Sequence, residues 1–303
     1  SIVKLKRKSW DCVVSTGGPY SVHYVGYYAK KHGLAKKWLM DWRDLWTQSH
    51  IFPGIALLKP IEKLIEKKFH KMADFVTTVS DPLAHQLMIK YRKSVEVIYN
   101  GFDPEEYQSL DEKKIFPDDG KIRIVYTGSI YPGKQDPSSL LEAICILDSM
   151  REIAPNKFEV VFAGNNANPL LLARKYNVEK YCVYKGFVPR MQALKMQKEA
   201  DLLLFLEWGD ASAKGILTGK LFEYLFAGPP ILSIGGDEKS TTSKLITRDQ
   251  RGLALGNNVD AIVQILREVI NGKMIEKKID GKEFFWQFTR QSQARKMLQI
   301  LQE

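Results

Sequence analysis

The chain has 303 residues, 45% hydrophobic and 26% charged, enough apolar content for two ordinary domains and too ordinary a balance for general disorder. Three cysteines (Cys12, Cys145, Cys182) stand far apart with no CxxC pair, and five histidines lack metal spacing, which excludes a disulfide frame and a zinc site. The net charge is +10, and nearly all of it lies in residues 1–100, where 14 Lys and 3 Arg oppose eight acids.

Such asymmetry directs the first third of the chain toward something anionic. No finger, RNP or helix-turn-helix pattern supports a nucleic-acid partner. No apolar run reaches the roughly 18 residues of a spanning helix, and no hydrophobic leader follows the basic N-terminus. The expectation is a cytoplasmic protein with reduced, structural cysteines.

In chain order, "DCVVST", "KWLMDW", "DFVTTVS" and "VEVIYN" read as buried strands, separated by helical patterns at Tyr20–His32 and Ile55–Met72. A polar, acidic, turn-rich stretch from Asn100 to Lys121 follows and reads as a domain boundary. The scheme then repeats with "IRIVYTGS", "FEVVFAG", "YCVYKGF", "DLLLFLE" and "PILSIG". Continuous apolar strands, each followed by a helix, predict parallel α/β sheets covered on both faces. The expected fold class is α/β, with two Rossmann-like domains over residues 1–117 and 118–289 and a cleft between them. The last helix, Arg290 to Gln302, carries Met297, Leu298 and Leu301 on one side and is expected to pack back on the first domain.

Ligands of such sheets bind beyond the carboxyl ends of the strands. There, "GSIYPGKQ" (Gly128–Gln135) mimics a phosphate loop. Gln135 stands where a Mg²⁺-ligating hydroxyl belongs, and Pro132 removes one cradling N–H, so a nucleotide-hydrolysing P-loop is not expected. Backbone N–H groups with Lys134 beside them still suit a diphosphate; an ordinary turn with a surface lysine is the plainer reading. In "GKLFEYLFAGPPIL" the single acid Glu223 sits among Leu221, Phe222, Tyr224, Leu225 and Phe226. A buried carboxylate is costly unless bonded, so either a protein partner or a polar ligand must hold it.

Taken together, "STGGPYSVHYVG", "KWLMDWRDLWT", "ADFVTTVSDPLAHQL", "VEVIYNGFDPEEY", "IRIVYTGSIYPGKQDPSSLLEAI", "VVFAGNN", "YKGFVPR", "ADLLLFLE" and "TGKLFEYLFAGPPIL" resemble the GT-B glycosyltransferases of family 4. The resemblance runs from about Asp11 to the C-terminus. It implies a retaining transfer of a hexose from a nucleoside diphosphate sugar to an acceptor hydroxyl, on a glycan or lipid-linked sugar, in cell-surface polysaccharide or glycolipid synthesis. No cofactor and no metal are implied. By resemblance Glu223 would bond the donor ribose, Thr218 and Gly219 would open a helix facing the diphosphate, and Lys220 would be a second candidate, after Lys134, for the lysine that neutralises the leaving group. Lys134 would neutralise the leaving group, Gly128, Ser129 and Gly164 would line the donor site, and Val188 would meet the base. His23 would point toward the transferred sugar, although a lone histidine is more often a core residue. Gly18, Asp41, Arg43 and Asp44 are acceptor-side candidates, with capping and internal ion pairing an equal explanation.

The sequence departs from the family pattern in three places. The acid eight positions before Glu223 is replaced by Gly215, leaving Glu207 or Asp210 as substitutes. The arginine five positions before Lys134 is Ser129. The "DWRD" segment comes early, so the N-terminal domain is expected to lack its first part. Two other readings therefore stay open: a nucleotide-sugar-binding protein or partner subunit without turnover, and a nucleotide-sugar epimerase. Ile61, Leu64, Ile65, Phe69 and Met72 follow helical spacing beside Lys63, Lys67, Lys68 and Lys71. That stripe reads first as a core face and second as a peripheral contact with anionic membrane.

Overall fold

The structure is a computed structural model that describes residues 10–49, 54–165, 169–209, 215–237, 239–273 and 282–302. It divides into two compact units, one of residues 1–100, 215–217 and 290–303, the other of residues 101–214 and 218–289. The division falls at Asn100, the first residue of the stretch read as the boundary, and not at residue 117 within it. The reason is bonding. The short helix α4 (Pro104–Gln108) lies in the second unit, where Tyr107 Oη donates to Gln197 Oε1 at 3.1 Å. The Ile115 and Phe116 N–H groups also donate to the Glu199 carboxylate there.

The first unit holds four parallel strands in sequential order: β1 (Trp10–Thr16), β2 (Ala35–Trp42), β3 (Phe75–Thr78) and β4 (Glu96–Val97). Between them run α1 (Val22–Lys31), α2 (Lys59–Met72) and α3 (Asp81–Tyr91). The sheet is parallel because each strand is followed by a helix long enough to cross back. Its core gathers Trp38, Met40, Trp42, Phe69, Val76, Leu83 and Leu87. α1 lies tight against β2 because Gly26 leaves room: a Cβ there would stand 2.2 Å from Trp38 Nε1. The last helix, which we label α12 (Arg290–Gln302), belongs to this unit. Ile300 is buried against Leu39 and Ile98, with Met297 and Leu301 beside it; Leu298, expected on the same side, is exposed.

The second unit is a six-stranded parallel sheet. Its strands are β5 (Ile122–Thr127), β6 (Phe158–Ala163), β7 (Cys182–Gly186), β8 (Leu202–Leu206), β9 (Ile231–Ile234) and β10 (Gly252–Ala254), in the order β10-β9-β8-β5-β6-β7. Counted from β5, that is the doubly wound 3-2-1-4-5-6 order, whose topological switch point lies between β5 and β8. The intervening helices are α5 (Ser138–Ser149), α6 (Pro169–Lys175), α7 (Arg190–Glu199), α8 (Gly219–Ala227), α9 (Thr241–Thr247) and α10 (Val259–Ile270), with α11 (Lys282–Trp286) leading to the chain's return. Ile124, Tyr126, Val160, Phe162, Leu202, Leu204, Leu232 and the inner face of α5 form the core. Val125, Val161, Leu203 and Phe205, which alternate with them on the other face, are buried as well, and this burial on both faces is why the strands read as unbroken apolar runs.

Candidate functional site

At the carboxyl end of β5 the chain passes through Gly128 at φ +115°, and the end of β6 approaches it closely. The Gly128 N–H donates to Ala163 O at 2.7 Å. A Cβ on Gly164 would lie 2.0 Å from Gly128 O, so only glycine allows the two strand ends to meet. A Cβ on Gly128 would in turn strike Lys220, 2.8 Å from its Cε. The structure therefore brings Gly128, Gly164 and Lys220 together at the switch point of the sheet.

Lys220 is the second residue of α8. Its ammonium sits over the Tyr126 ring, 3.9 Å from the centroid, a cation–π contact. Burial pushes its pKa down to about 7, with attraction to Glu223 acting against the shift. Gly219 opens the helix with free space where a Cβ would be. Thr218 stands at the N-cap in extended conformation without capping the helix, and its hydroxyl is buried with no partner among the described residues. A helix N-terminus with uncapped N–H groups and a lysine one residue inside can attract an anion.

One turn further along α8 stands Glu223, and its partners are inside the protein. Arg190 Nη1 donates to Oε1 at 3.0 Å and Gln197 Nε2 to Oε2 at 3.2 Å, both from α7. Arg190 also forks onto the Glu106 carboxylate of α4, so the guanidinium bridges two acids and its pKa is raised by those bonds, Glu106 first. The same Tyr107 hydroxyl lies 3.1 Å from Glu223 O, and Tyr224 Oη accepts from the Thr127 N–H at 2.8 Å. Gln197 Nε2 also bonds Thr127 Oγ1 at 2.9 Å. Two oxygens with about four acceptor positions leave Glu223 capacity for further donors. Sequence reasoning did not single out Arg190, Gln197, Glu106 or Tyr107. Arg190 lay in plain view in "YKGFVPR", but its partners are 84 and 33 positions away.

The other predicted residues of this unit make contacts of their own. Ser129 offers its carbonyl to Tyr126 Oη at 2.8 Å. Gln135, the misfit of the phosphate-loop reading, is buried and donates to Leu206 O at 2.7 Å, so it anchors the loop to β8. Lys134 N–H closes the loop on Tyr131 O. Its side chain lines a cavity of about 760 Å³ with Asp136, Lys175, Glu207, Gly209 and Asn257. Val188 lines a different cavity of about 350 Å³ with Val183, Lys185 and Gln192. Glu207, a candidate for the missing acid, accepts from Ser233, Ser240 and Ser243 at 2.8–2.9 Å. Burial raises its pKa while those three hydroxyls lower it; its bonding is that of a core acid. Asp210 lies outside the described residues.

The remaining candidates belong to the first unit. Asp41 is wholly buried, and the register of β1, β2 and β3 sets Thr16 and Thr77 on either side of it. Thr16 Oγ1, Thr77 Oγ1 and Arg43 Nε all donate to its carboxylate, while Arg43 Nη1 donates to Ile98 O. Internal pairing thus accounts for two of the three charges of "DWRD"; Asp44 is exposed. Gly18 is exposed, with open space at its Cα. His23 is completely buried, its Nδ1 paired with Ser15 Oγ at 2.8 Å and its ring 4.2 Å from that of Trp42. Its Nε2 has no partner among the described residues. Burial pushes its pKa down to about 4, so it is a neutral core imidazole at physiological pH.

Among the described residues no three His, Cys, Asp or Glu side chains converge as a metal site. No protein-family model matches the chain, and no curated sequence matches it significantly. Solved structures do. HepE from Anabaena, in complex with UDP, superposes with a TM-score of 0.67 at 13% identity, covering 99% of this chain and 80% of that one. Sucrose-phosphate synthase from Thermosynechococcus elongatus gives 0.62 at 13%, covering 96% and 73%. A protein assigned as a UDP-N-acetylglucosamine 2-epimerase from Listeria monocytogenes gives 0.58 at 13%, covering 95% and 73%. Together with the two parallel sheets, these likenesses define the fold as GT-B, built of two Rossmann-like units.

Proposed function

We propose that the chain is a nucleotide-sugar-dependent glycosyltransferase, which takes a hexose from a nucleoside diphosphate sugar and attaches it to an acceptor hydroxyl with retention. The observation that carries this reading is the cluster at the β5–β8 switch point. There the uncapped N-terminus of α8 and Lys220 stand one helical turn before Glu223, and the Gly128–Gly164 approach meets Lys220. The backbone N–H groups and Lys220 suit a diphosphate, and the spare acceptor positions of Glu223 suit the two hydroxyls of a ribose. Arg190 and Gln197 would hold the carboxylate in place for them. Lys134 is the further cation for the leaving group. As the diphosphate departs, its developing charge would be met by dipoles and cations already oriented, and one of its oxygens could take the acceptor proton on the same face. The acceptor in this reading is a glycan or lipid-linked sugar of a cell-surface polysaccharide or glycolipid.

The test is thermal shift with UDP, GDP and ADP and their sugars, on the wild type and Glu223→Ala. A ligand at ten times its dissociation constant adds about 1.4 kcal/mol. One nucleotide should stabilise the wild type and lose most of its effect on the variant. A panel without any shift would remove the donor site. A second reading, binding without turnover, is favoured by the burial and neutrality of His23 and by Ser129 in place of a clamp cation. It predicts a nucleotide shift without donor consumption in the presence of any acceptor. Interconversion of donor epimers with no acceptor present would instead mark an epimerase.

A further inference from the structure

The stripe expected on one face of the basic helix divides in the structure. Phe69 is buried, and Ile65 and Met72 pack against the first unit's core. Ile61 and Leu64 do not; they are 55% and 62% exposed. The 3₁₀ turn Ala56–Leu58 immediately before α2 adds Leu57, at 85%, and Leu58. On a helical projection Leu57, Pro60, Ile61 and Leu64 share one outward sector with Lys67, Lys68 and Lys71, and Lys63 flanks it. All four lysines are exposed. The acids of the helix do not offset them on that face. Glu66 is buried, where it accepts from Thr47 and Lys90, and Glu62 is half-buried beside Gly54.

We propose that this outward face of α2, with the turn before it, is a docking surface for an anionic lipid bilayer. Contiguous exposed leucine and isoleucine beside a row of lysines is the pattern of a helix lying in the membrane interface. The apolar half enters the boundary between headgroups and acyl chains, and the lysines meet lipid phosphates and carboxylates. Charge complementarity selects the occupant: a groove-binding protein helix would need apolar cover alone, whereas this face pairs its apolar residues with cations only. The excess positive charge of residues 1–100 acts in the same direction. No helix among the described residues is long and apolar enough to cross a membrane, and the contact proposed for this face lies along the bilayer surface. The inference does not depend on the nucleotide-sugar reading.

Flotation of the full chain with phosphatidylcholine vesicles, and with vesicles mixed with phosphatidylserine, tests it. The wild type should float with the mixed vesicles, less so at high salt, and hardly with phosphatidylcholine alone. Lys67→Ala with Lys71→Ala should lower partition on the order of 20-fold, from about fivefold per lysine near an anionic surface. Leu57→Asp with Leu64→Asp should abolish it while leaving the circular dichroism and melting temperature unchanged, since both side chains already face outward. Equal flotation with both vesicle types, or variants that float like the wild type, would overturn the proposal. So would a concentration-dependent dimer dissociated by Leu57→Asp in a chain that captures no vesicles, which would assign the face to a second copy.

Discussion

Lys220 is held over an aromatic ring beside a carboxylate, and its pKa near 7 makes its charge depend on physiological pH. The sign is definite. Below about 7 the ammonium is charged and attracts an anion; above it the amine is mostly neutral. A nucleoside diphosphate sugar carries a diester diphosphate that does not titrate between pH 6 and 8.5, so any change in affinity there belongs to the protein. Calorimetric affinity should fall about tenfold or more from pH 6 to pH 8.5, the worth of one charge-assisted bond. Lys220→Met should bind weakly and equally at both. A wild type indifferent to pH would place Lys220 outside the anion site. The same shift makes stability rise with pH between about 7 and 10.5, because there the unfolded chain holds the proton that the folded chain has released.

At the scale of elements, glycine decides how closely strands and helices approach. Gly26→Ala in α1 would press a methyl into the Trp38 indole. It would also displace Ser15, which accepts from Trp38 Nε1 and pairs with His23. The expected loss is about 1–3 kcal/mol, read by urea melting with a shift in tryptophan emission. What the sequence made legible follows from the same physics. Nine strands were visible as apolar runs, those of the second sheet's centre because parallel strands buried on both faces carry no polar alternation; β10, three residues long, offers no such run. The glycines after β5 and β6 and the helix opening at Gly219 were legible because turn chemistry is local. The bond between Arg190 and Glu223 was not, since pairing across 33 residues leaves no trace in spacing. Nor was the outward turn of Ile61 and Leu64. Spacing links them to Ile65 and Phe69 in one stripe, and only the packed sheet determines where along the helix the core ends.

At the scale of the whole molecule, the first unit is completed by a segment far along the chain. Ile300 covers Leu39 and Ile98, Gln293 Oε1 accepts from the Tyr99 N–H at 2.8 Å, and Lys296 Nζ donates to Val97 O at 2.9 Å. Ile300→Asp would set a carboxylate against two buried aliphatic side chains. It should cost about 2–5 kcal/mol and appear as a lowered first transition on melting, with the second unit's transition unchanged. A single unshifted transition would show that α12 contributes nothing to the unit it packs on.

That arrangement bears on how the protein is made. A ribosome emits residues 10–100 first and α12 only after the entire second sheet. During that interval the apolar face formed by Leu39 and Ile98, with the Tyr99 amide beside it, waits without its cover. The second unit, by contrast, has every strand it needs before α12 emerges. The order of maturation during synthesis is therefore the reverse of the order in the sequence: the sheet begun first is finished last. A nascent chain stalled before Arg290 should present a protease-resistant second sheet and a first sheet still open to cleavage.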